Sequence, residues 1–309
     1  MLITVTLNPA VDKTAVIPHF QAGAVNRIVG LRVDAGGKGV NVSKVLAGLG
    51  VDNVATGICG GVAGRFILDS LTKLGVRTEF LYSAEETRTN LKIADPSGGT
   101  TDINEMGASV TAEQLQMFQD RLEALTHPGD LVVFAGSLPP GAPADLYAQF
   151  IVRCKEKGVR TFVDTSGEAL RQAALAVPAL LKPNVEELQQ LTGVFAKTED
   201  QICAVCKPLM DRGAEYIAVT RGGLGAVLIT AGAAYAADAL PVRVCSTVGS
   251  GDAFAAAMAA CVQNGTDAAQ TLASAMAAGA VNAMTAGTAV PDGAQIRLMA
   301  EQVHVRRIF

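Results

Sequence analysis

The chain has 309 residues, half of them hydrophobic, with a formal net charge of −4, enough to bury a large core in one large domain or two small ones. No long basic run offsets the acidic balance, which argues against a nucleic-acid partner and points to a small molecule. The opening Met1-Leu2-Ile3-Thr4-Val5-Thr6-Leu7 lacks the basic flank of a signal peptide, and Gln263, Asn264 and Asp267 interrupt the longest alanine-rich runs before they reach the length of a membrane span. A cytoplasmic protein with no membrane partner is therefore expected. Its six cysteines have no framework spacing and predict free thiols; Cys203-Ala-Val-Cys206 has no second Cys or His pair nearby to complete a metal site.

In chain order, Leu2 to Leu7 reads as a buried strand ended by Asn8-Pro9, with Asp12 just beyond it. Residues 14–33 alternate loosely and predict short accessory strands. Asp34-Ala35-Gly36-Gly37-Lys38-Gly39-Val40-Asn41-Val42-Ser43 leads into a helix over 44–49. Gly39 stands where a Walker loop needs Ser or Thr for Mg²⁺, which disfavours a P-loop NTPase. A strand over 51–59 and a helix over 66–74 begin a βαβ rhythm. Extended runs over 87–94 and 100–104 flank Asp95-Pro96-Ser97-Gly98-Gly99, a hairpin expected to join the accessory strands.

Thr111-x-x-Gln114 is a capping box before a helix with Leu115, Phe118, Leu122 and Leu125 on one face. Residues 130–135 form a continuous apolar strand of the kind a parallel sheet covers on both faces, followed by the rigid loop Gly136-Ser137-Leu138-Pro139-Pro140-Gly141. Helices over 143–157, 168–175, 186–191 and 200–211 alternate with strands over 160–163, 179–181 and 216–220. A strand pair across Ala231-Gly232 and two alanine-rich helices complete the chain. No linker or repeat divides it. The expected fold is one α/β layer sandwich over 1–309, with a mainly parallel sheet and a small β appendage from 10–34 and 87–105.

Four polar, glycine-bearing loops follow four strands, around Gly36 to Asn41, Gly136 to Gly141, Lys182 to Glu187 and Gly222 to Gly225, and could ring one cleft at the strands' carboxyl ends. A fifth stretch, Cys245-Ser246-Thr247-Val248-Gly249-Ser250-Gly251-Asp252-Ala253-Phe254, delivers an acid to the start of an alanine-rich helix. Free N–H groups there suit phosphate oxygens. By itself the stretch leaves two readings of Asp252 open, a helix cap or a base taking a proton from an attacking hydroxyl.

Both glycine-rich stretches resemble signatures of the PfkB or ribokinase-type sugar kinases. Gly36-Gly37-Lys38-Gly39-Val40-Asn41-Val42-Ser43, with Gly50 and Gly60, is similar to the N-terminal signature, and Ser246 to Phe254 to the C-terminal one. Thr6-Leu7-Asn8-Pro9-Ala10-Val11-Asp12, Lys38 and Gly136 to Gly141 resemble the branch acting on phosphorylated hexoses. The departures are small: Ala135 and Ser250 stand where the family often has serine and alanine.

The resemblance implies a ribokinase-like three-layer α/β/α sandwich with a small β-sheet lid that pairs in a homodimer, and phosphoryl transfer from ATP with Mg²⁺ to a ketohexose phosphate. It implies Asp252 as catalytic base, with the Gly249, Ser250 and Gly251 N–H groups as anion hole. Asp12, Gly37, Gly39 and Asn41 would hold the sugar, Ser137 would touch it, and Lys38 and Arg88, with Arg27 from the same or a neighbouring chain, would take its phosphate. Lys182, Asn184, Thr220, Gly222, Gly225 and Asn282 would hold the nucleotide, with Asn282 near adenine, and Glu187 would position Mg²⁺ through water. Fructose 1-phosphate is the expected substrate, because Val25-Asn26-Arg27 and the Thr6 to Asp12 opening resemble its kinases; tagatose 6-phosphate and fructose 6-phosphate are the alternatives. A different class, a non-catalytic sugar-phosphate sensor, would have no need of Glu187. A dinucleotide oxidoreductase lacks its Gly-x-Gly-x-x-Gly after the first strand.

Overall fold

Strand β1 (Leu2–Thr6) shows how the layers are set: Ile3 and Val5 point into one apolar cluster, Leu2 into another. That period-2 division, with both sides apolar, requires helices on both faces. The computed structural model describes every residue except Ala286. After β1 come β2 (Ala10–Val16), β3 (Gly30–Gly36), α1 (Lys38–Gly48), β4 (Asn53–Gly60), α2 (Gly61–Lys73), β5 (Arg77–Thr78), β6 (Leu81–Ser83), β7 (Arg88–Ala94) and β8 (Thr100–Asn104). The middle third holds α3 (Ala112–Leu125), β9 (Leu131–Ala135), α4 (Leu146–Glu156), β10 (Arg160–Asp164), α5 (Gly167–Leu175), β11 (Leu180–Leu181) and α6 (Val185–Thr192). Next are α7 (Glu199–Asp211), β12 (Tyr216–Thr220), a 3-10 turn (Gly222–Leu224), β13 (Ala226–Thr230) and β14 (Ala234–Ala237). The chain closes with α8 (Ser250–Gln263), α9 (Ala268–Ala283), α10 (Gly293–Ala300) and β15 (Val305–Arg307).

Among the described residues, eleven strands form the main sheet, in the order β15-β14-β13-β12-β11-β10-β9-β1-β4-β5, with β6 also on β4. From β5 to β12 every pairing is parallel; β13, β14 and β15 extend it antiparallel. The carboxyl ends of β1, β9, β10, β11 and β12 therefore share one edge, as the loop pattern predicts. One face is covered by α3 to α7, through residues such as Phe118, Tyr147, Phe150 and Ile202. The other is covered by α1, α8, α9 and α10. Each large apolar side chain so buried contributes about 1.5–3 kcal/mol. The alanine-rich α8 is buried on nearly every side, as an all-apolar helix must be.

Four strands form a second sheet, in the order β3-β2-β7-β8. Asp34, Asp12, Asn90 and Asn104 stand in register across it. Its other face puts Val11 and Ala35 against Ile67 and Leu71 of α2. Beyond that helix the same face continues as exposed Leu31, Val33 and Ile103.

Several local expectations need correction. Asp12 lies beyond the end of β1 as expected, but inside a further strand, β2, because Pro9 only interrupts the extended chain before it pairs with β3 and β7. Helix α1 begins at Lys38, six residues before the expected start, since the glycines that hide a helix from propensity are part of its first turn. The short β5, β6, α10 and β15 go unanticipated. The six cysteines are free, and Cys203 and Cys206 sit on α7. No helix among the described residues is long and apolar enough to cross a membrane.

Candidate active site

The loop from Thr247 to Asp252 decides the cap question. Gly249 is the N-cap of α8 and, at φ 81°, occupies the left-handed region where a side chain would be strained; it makes no side-chain cap. The Asp252 carboxylate is turned away from the helix end and accepts from Asn41 Nδ2 at 2.8 Å. The turn is closed by backbone instead: Ser250 N–H donates to the Thr247 carbonyl at 3.2 Å, and Ala253 N–H to that of Gly249 at 2.8 Å. The Ser250 N–H is engaged, whereas those of Gly249, Gly251 and Asp252 have no acceptor among the described residues.

Asn282 lies beside the same loop. It is 2% exposed, and its amide donates to the Val248 carbonyl at 2.8 Å and lies 3.4 Å from Ser250 Oγ. Its amide nitrogen braces the loop.

A residue that the sequence reading missed lies at the centre. Asp164 ends β10, is fully buried, and faces two ammonium groups, Lys38 Nζ at 2.7 Å and Lys182 Nζ at 3.2 Å. Burial alone would favour a neutral carboxyl, but Lys182 and Lys38 hold Asp164 ionised, below the usual carboxylate range. Burial likewise works against the Lys38 charge, and Asp164 with Asp252 and Glu187 more than offsets it, keeping the ammonium protonated. Lys38 thus shares the Asp164 carboxylate with Lys182. The signal was an apolar strand, Thr161-Phe162-Val163, ending in an acid at the sheet's carboxyl edge.

Asp252 itself is pushed up to about 6, first by burial and then by the Asp164 charge, with Lys38, Asn41 and Lys182 opposing. Such a carboxylate is ionised at neutral pH yet basic enough to accept a proton.

On the second-sheet side, Asn90 Nδ2 donates to Asp12 Oδ1 at 2.9 Å. The other Asp12 oxygen rests directly over Gly36, where any Cβ would collide with the carboxylate. Burial raises Asp12 above its ordinary value, with Asn90, Lys44 and Arg88 acting against the rise. Arg88 is pinned by the backbone carbonyls of Glu105 (3.0 Å) and Asn8 (3.1 Å). Asn41 Oδ1, Asn90 Oδ1 and Arg88 Nε are buried without a hydrogen-bond partner. Ser137 lies 3.4 Å from Asn8 Nδ2. Arg27 is exposed on the β2–β3 connection, with no partner among the described residues.

Opposite lie the loops after β11 and β12. Asn184 caps α6 and Glu187 caps it in return: Glu187 N–H donates to Asn184 Oδ1, and Asn184 N–H to Glu187 Oε2, both at 2.8 Å. Oε1 of Glu187 stays uncommitted. Lys182 is 4% exposed and would lie 3.7 Å from a Cβ on Gly251, beside the free N–H groups. Thr220 bridges to Asn184, and Gly222 to Gly225 turn back over the sheet edge. Arg221 is held by Glu199 at 2.8 Å, and Glu199 in turn by Arg306. No cluster of three or more acidic, His or Cys ligands occurs among the described residues.

A basic carboxylate beside side-chain amides, free helix N-terminal N–H groups and two lysines that share a buried carboxylate is equipment suited to moving a phosphoryl group onto an alcohol. Comparison with known proteins agrees. Residues 4–293 match the model of the pfkB family carbohydrate kinases. The chain is 35% identical to a 1-phosphofructokinase of Bacillus subtilis (strain 168), over 84% of this chain and 85% of the relative. It is 33% identical to a tagatose-6-phosphate kinase of Staphylococcus epidermidis, over 84% of each. The phosphofructokinase-2 of Escherichia coli, solved in complex with substrates and products, superposes with a TM-score of 0.93 at 26% identity, covering 97% of this chain and 98% of that one. The ribokinase-like sandwich and its cleft thus identify the chain as a sugar phosphotransferase, a member of the pfkB family of carbohydrate kinases.

Proposed function

We propose that the chain transfers the γ-phosphoryl group of ATP to a ketohexose phosphate, with fructose 1-phosphate as acceptor and fructose 1,6-bisphosphate as product. The observation that carries this reading is the meeting of Asp252 with Asn41 at the head of the anion loop. Asp252 accepts the proton of the sugar hydroxyl while that oxygen bonds to the γ-phosphorus and the bond to the ADP oxygen breaks. Gly249, Gly251 and Asp252 N–H groups and the Lys182 and Lys38 ammonium groups neutralise charge spread over the transferring oxygens. Asp12, Asn41, Asn90 and the Gly37 and Gly39 backbone hold sugar hydroxyls; Arg88 serves its phosphate end. Mg²⁺ carried by the nucleotide would neutralise the bridging phosphate oxygens, with Glu187 holding it through water.

The relative named for fructose 1-phosphate favours that acceptor, and the one named for tagatose 6-phosphate supports the second reading. A coupled assay of ADP release with fructose 1-phosphate, fructose 6-phosphate and tagatose 6-phosphate decides between them. A higher kcat/KM for an unphosphorylated sugar than for all three would sink the reading. The second sheet acts as the lid of a single kinase domain, and its exposed Leu31, Val33 and Ile103 pair with those of a second copy, which brings in Arg27. Sedimentation of a Val33→Lys variant should then find monomers; an unchanged dimer rules that interface out. The free thiols fit the reducing cytoplasm.

A further inference from the structure

The sugar side and the anion loop come from distant parts of the chain, and one buried cation touches both. Lys44 lies on the second turn of α1, is 7% exposed, and donates from Nζ to the Ala35 carbonyl at 2.9 Å and to Thr288 Oγ1 at 3.0 Å. Ala35 belongs to β3 and precedes Gly36, on which the Asp12 carboxylate rests. Thr288 is itself buried, and its Cγ2 would lie 3.3 Å from a Cβ on Gly249, the residue that caps α8. A parallel contact reinforces the link: Arg32 of β3, paired with Asp34 at 2.7 Å, packs its guanidinium against Gly287, where an added Cβ would come within 2.7 Å of Cζ. Packing alone does not call for a charge at position 44, since an apolar side chain would fill the space without the cost of burying an ammonium.

We propose that Lys44 is a positioning residue, a latch that holds the β3 edge of the sugar site in register with the Gly249 to Asp252 loop. It fixes the separation between a hydroxyl bound at Asp12 and the N–H groups that meet the phosphoryl group, and so rests on the kinase reading above. An error of about an ångström in that separation is worth roughly 100-fold in rate.

Charges reach Lys44 from each element packed on it: Asp34 and Arg32 on β3, Asp12 on β2, and Asp252 on α8. Burial lowers its ammonium from an ordinary 10.5 to about 8, with Asp34 and Asp12 opposing the fall and Arg32 adding to it. Lys38, the neighbouring cation, is shifted upward and stays charged through this range. Between about 8 and 10.5 the unfolded chain binds more protons at Lys44 than the folded one, so its contribution to global stability rises with pH. The latch requires the opposite of activity, which should fall as Lys44 loses its charge above about 8.

The test uses the full chain with Lys44→Met, Lys44→Arg and Thr288→Val. It combines steady-state kinetics across pH with hydrogen exchange at the Ala35, Gly287 and Thr288 amides, measured without substrate. Lys44→Met should lower kcat/KM for the sugar phosphate about 10- to 100-fold and speed exchange at all three amides, with the ATP KM changed less than about twofold. Lys44→Arg should recover most of the rate and lose the alkaline fall, because a guanidinium stays charged. Thr288→Val keeps the shape, deletes only the acceptor, and should cost about 3- to 10-fold. Wild-type kinetics and exchange in Lys44→Met, or a lowered melting temperature with the alkaline fall intact, overturn the latch. Should Lys44→Met not fold, wild-type behaviour of Thr288→Val overturns it equally. A wild type that phosphorylates none of the ketohexose phosphates defeats the kinase reading instead, and the exchange rates alone then decide the latch.

Discussion

The two walls of the cleft are finished to different degrees. On the wall proposed for the nucleotide the polar groups answer one another: Asn184 and Glu187 cap reciprocally, Asp164 lies between two lysines, and Glu199 holds Arg221 and Arg306. Asp164 Oδ2, buried there without a hydrogen bond, still faces Lys182 at 3.2 Å. On the sugar wall Asn41 Oδ1, Asn90 Oδ1 and Arg88 Nε are all buried and unpartnered. Each such atom costs about 1–3 kcal/mol in the free protein. The contrast matches the two tasks. A triphosphate is a diffuse charge, met by a fixed field that the protein can stabilise internally, whereas a sugar is told apart by individual hydroxyls, which need donors and acceptors kept unspent.

The largest expected effect falls where the walls meet. Asp252→Ala should lower kcat about 10²- to 10⁴-fold and leave the ATP KM nearly unchanged, measured in the coupled assay; substantial remaining turnover would rule out Asp252 as the base. In the wild type the rate should fall as pH drops below about 6, where Asp252 takes up its proton. The folded-state value lies above the ordinary 3.8, so the folded chain binds that proton more tightly, and ionising Asp252 costs stability as pH rises between the two values. Asp252→Asn should consequently be inactive but melt higher than wild type at neutral pH; a lower melting point would contradict the burial argument.

Next in size is Asp164→Asn, on the nucleotide wall. It leaves the 4%-exposed Lys182 without its counter-charge, at a cost of about 3–5 kcal/mol in chemical denaturation. The ATP KM should rise more than the sugar KM, and the reverse order would break the division between the walls. Gly36→Ala, on the sugar wall, is the smallest. Its methyl group displaces the Asp12 carboxylate and should raise the sugar KM by about 10-fold, a loss of roughly one charged hydrogen bond, with ATP binding untouched. An equal rise in both KM values would mean that the walls do not act separately.

The layered fold was legible because its elements obey local rules. The run at 131–135 divides between two buried clusters as a doubly covered strand should, and the Thr111 to Gln114 capping box is present with both hydrogen bonds made. In the candidate site, what was legible is that Asp252 and Asn41 come from two glycine-bearing stretches, which the fold brings within 2.8 Å of each other. The site was not legible where a role depends on partners far apart in sequence. Asp164 acquires its meaning from lysines 126 residues upstream and 18 downstream, which no local pattern reports. The bond from Asn282 to the Val248 carbonyl was hidden for the same reason, since an amide at a helix end gives no hint of whether it faces a ligand or a loop. The engagement of the Ser250 N–H follows from one backbone turn, a detail finer than the motif that announces it.

The contact between α8 and α9 carries one more consequence. The two helices bury Ala253, Ala256, Ala257 and Ala260 on one and Ala275, Ala277 and Ala278 on the other. Alanine has no rotamers, so these positions have no side-chain freedom to lose on folding and none to fluctuate through afterwards. The helix that presents Asp252 is mounted on a bearing without play, and its mechanical stiffness is written in methyl groups.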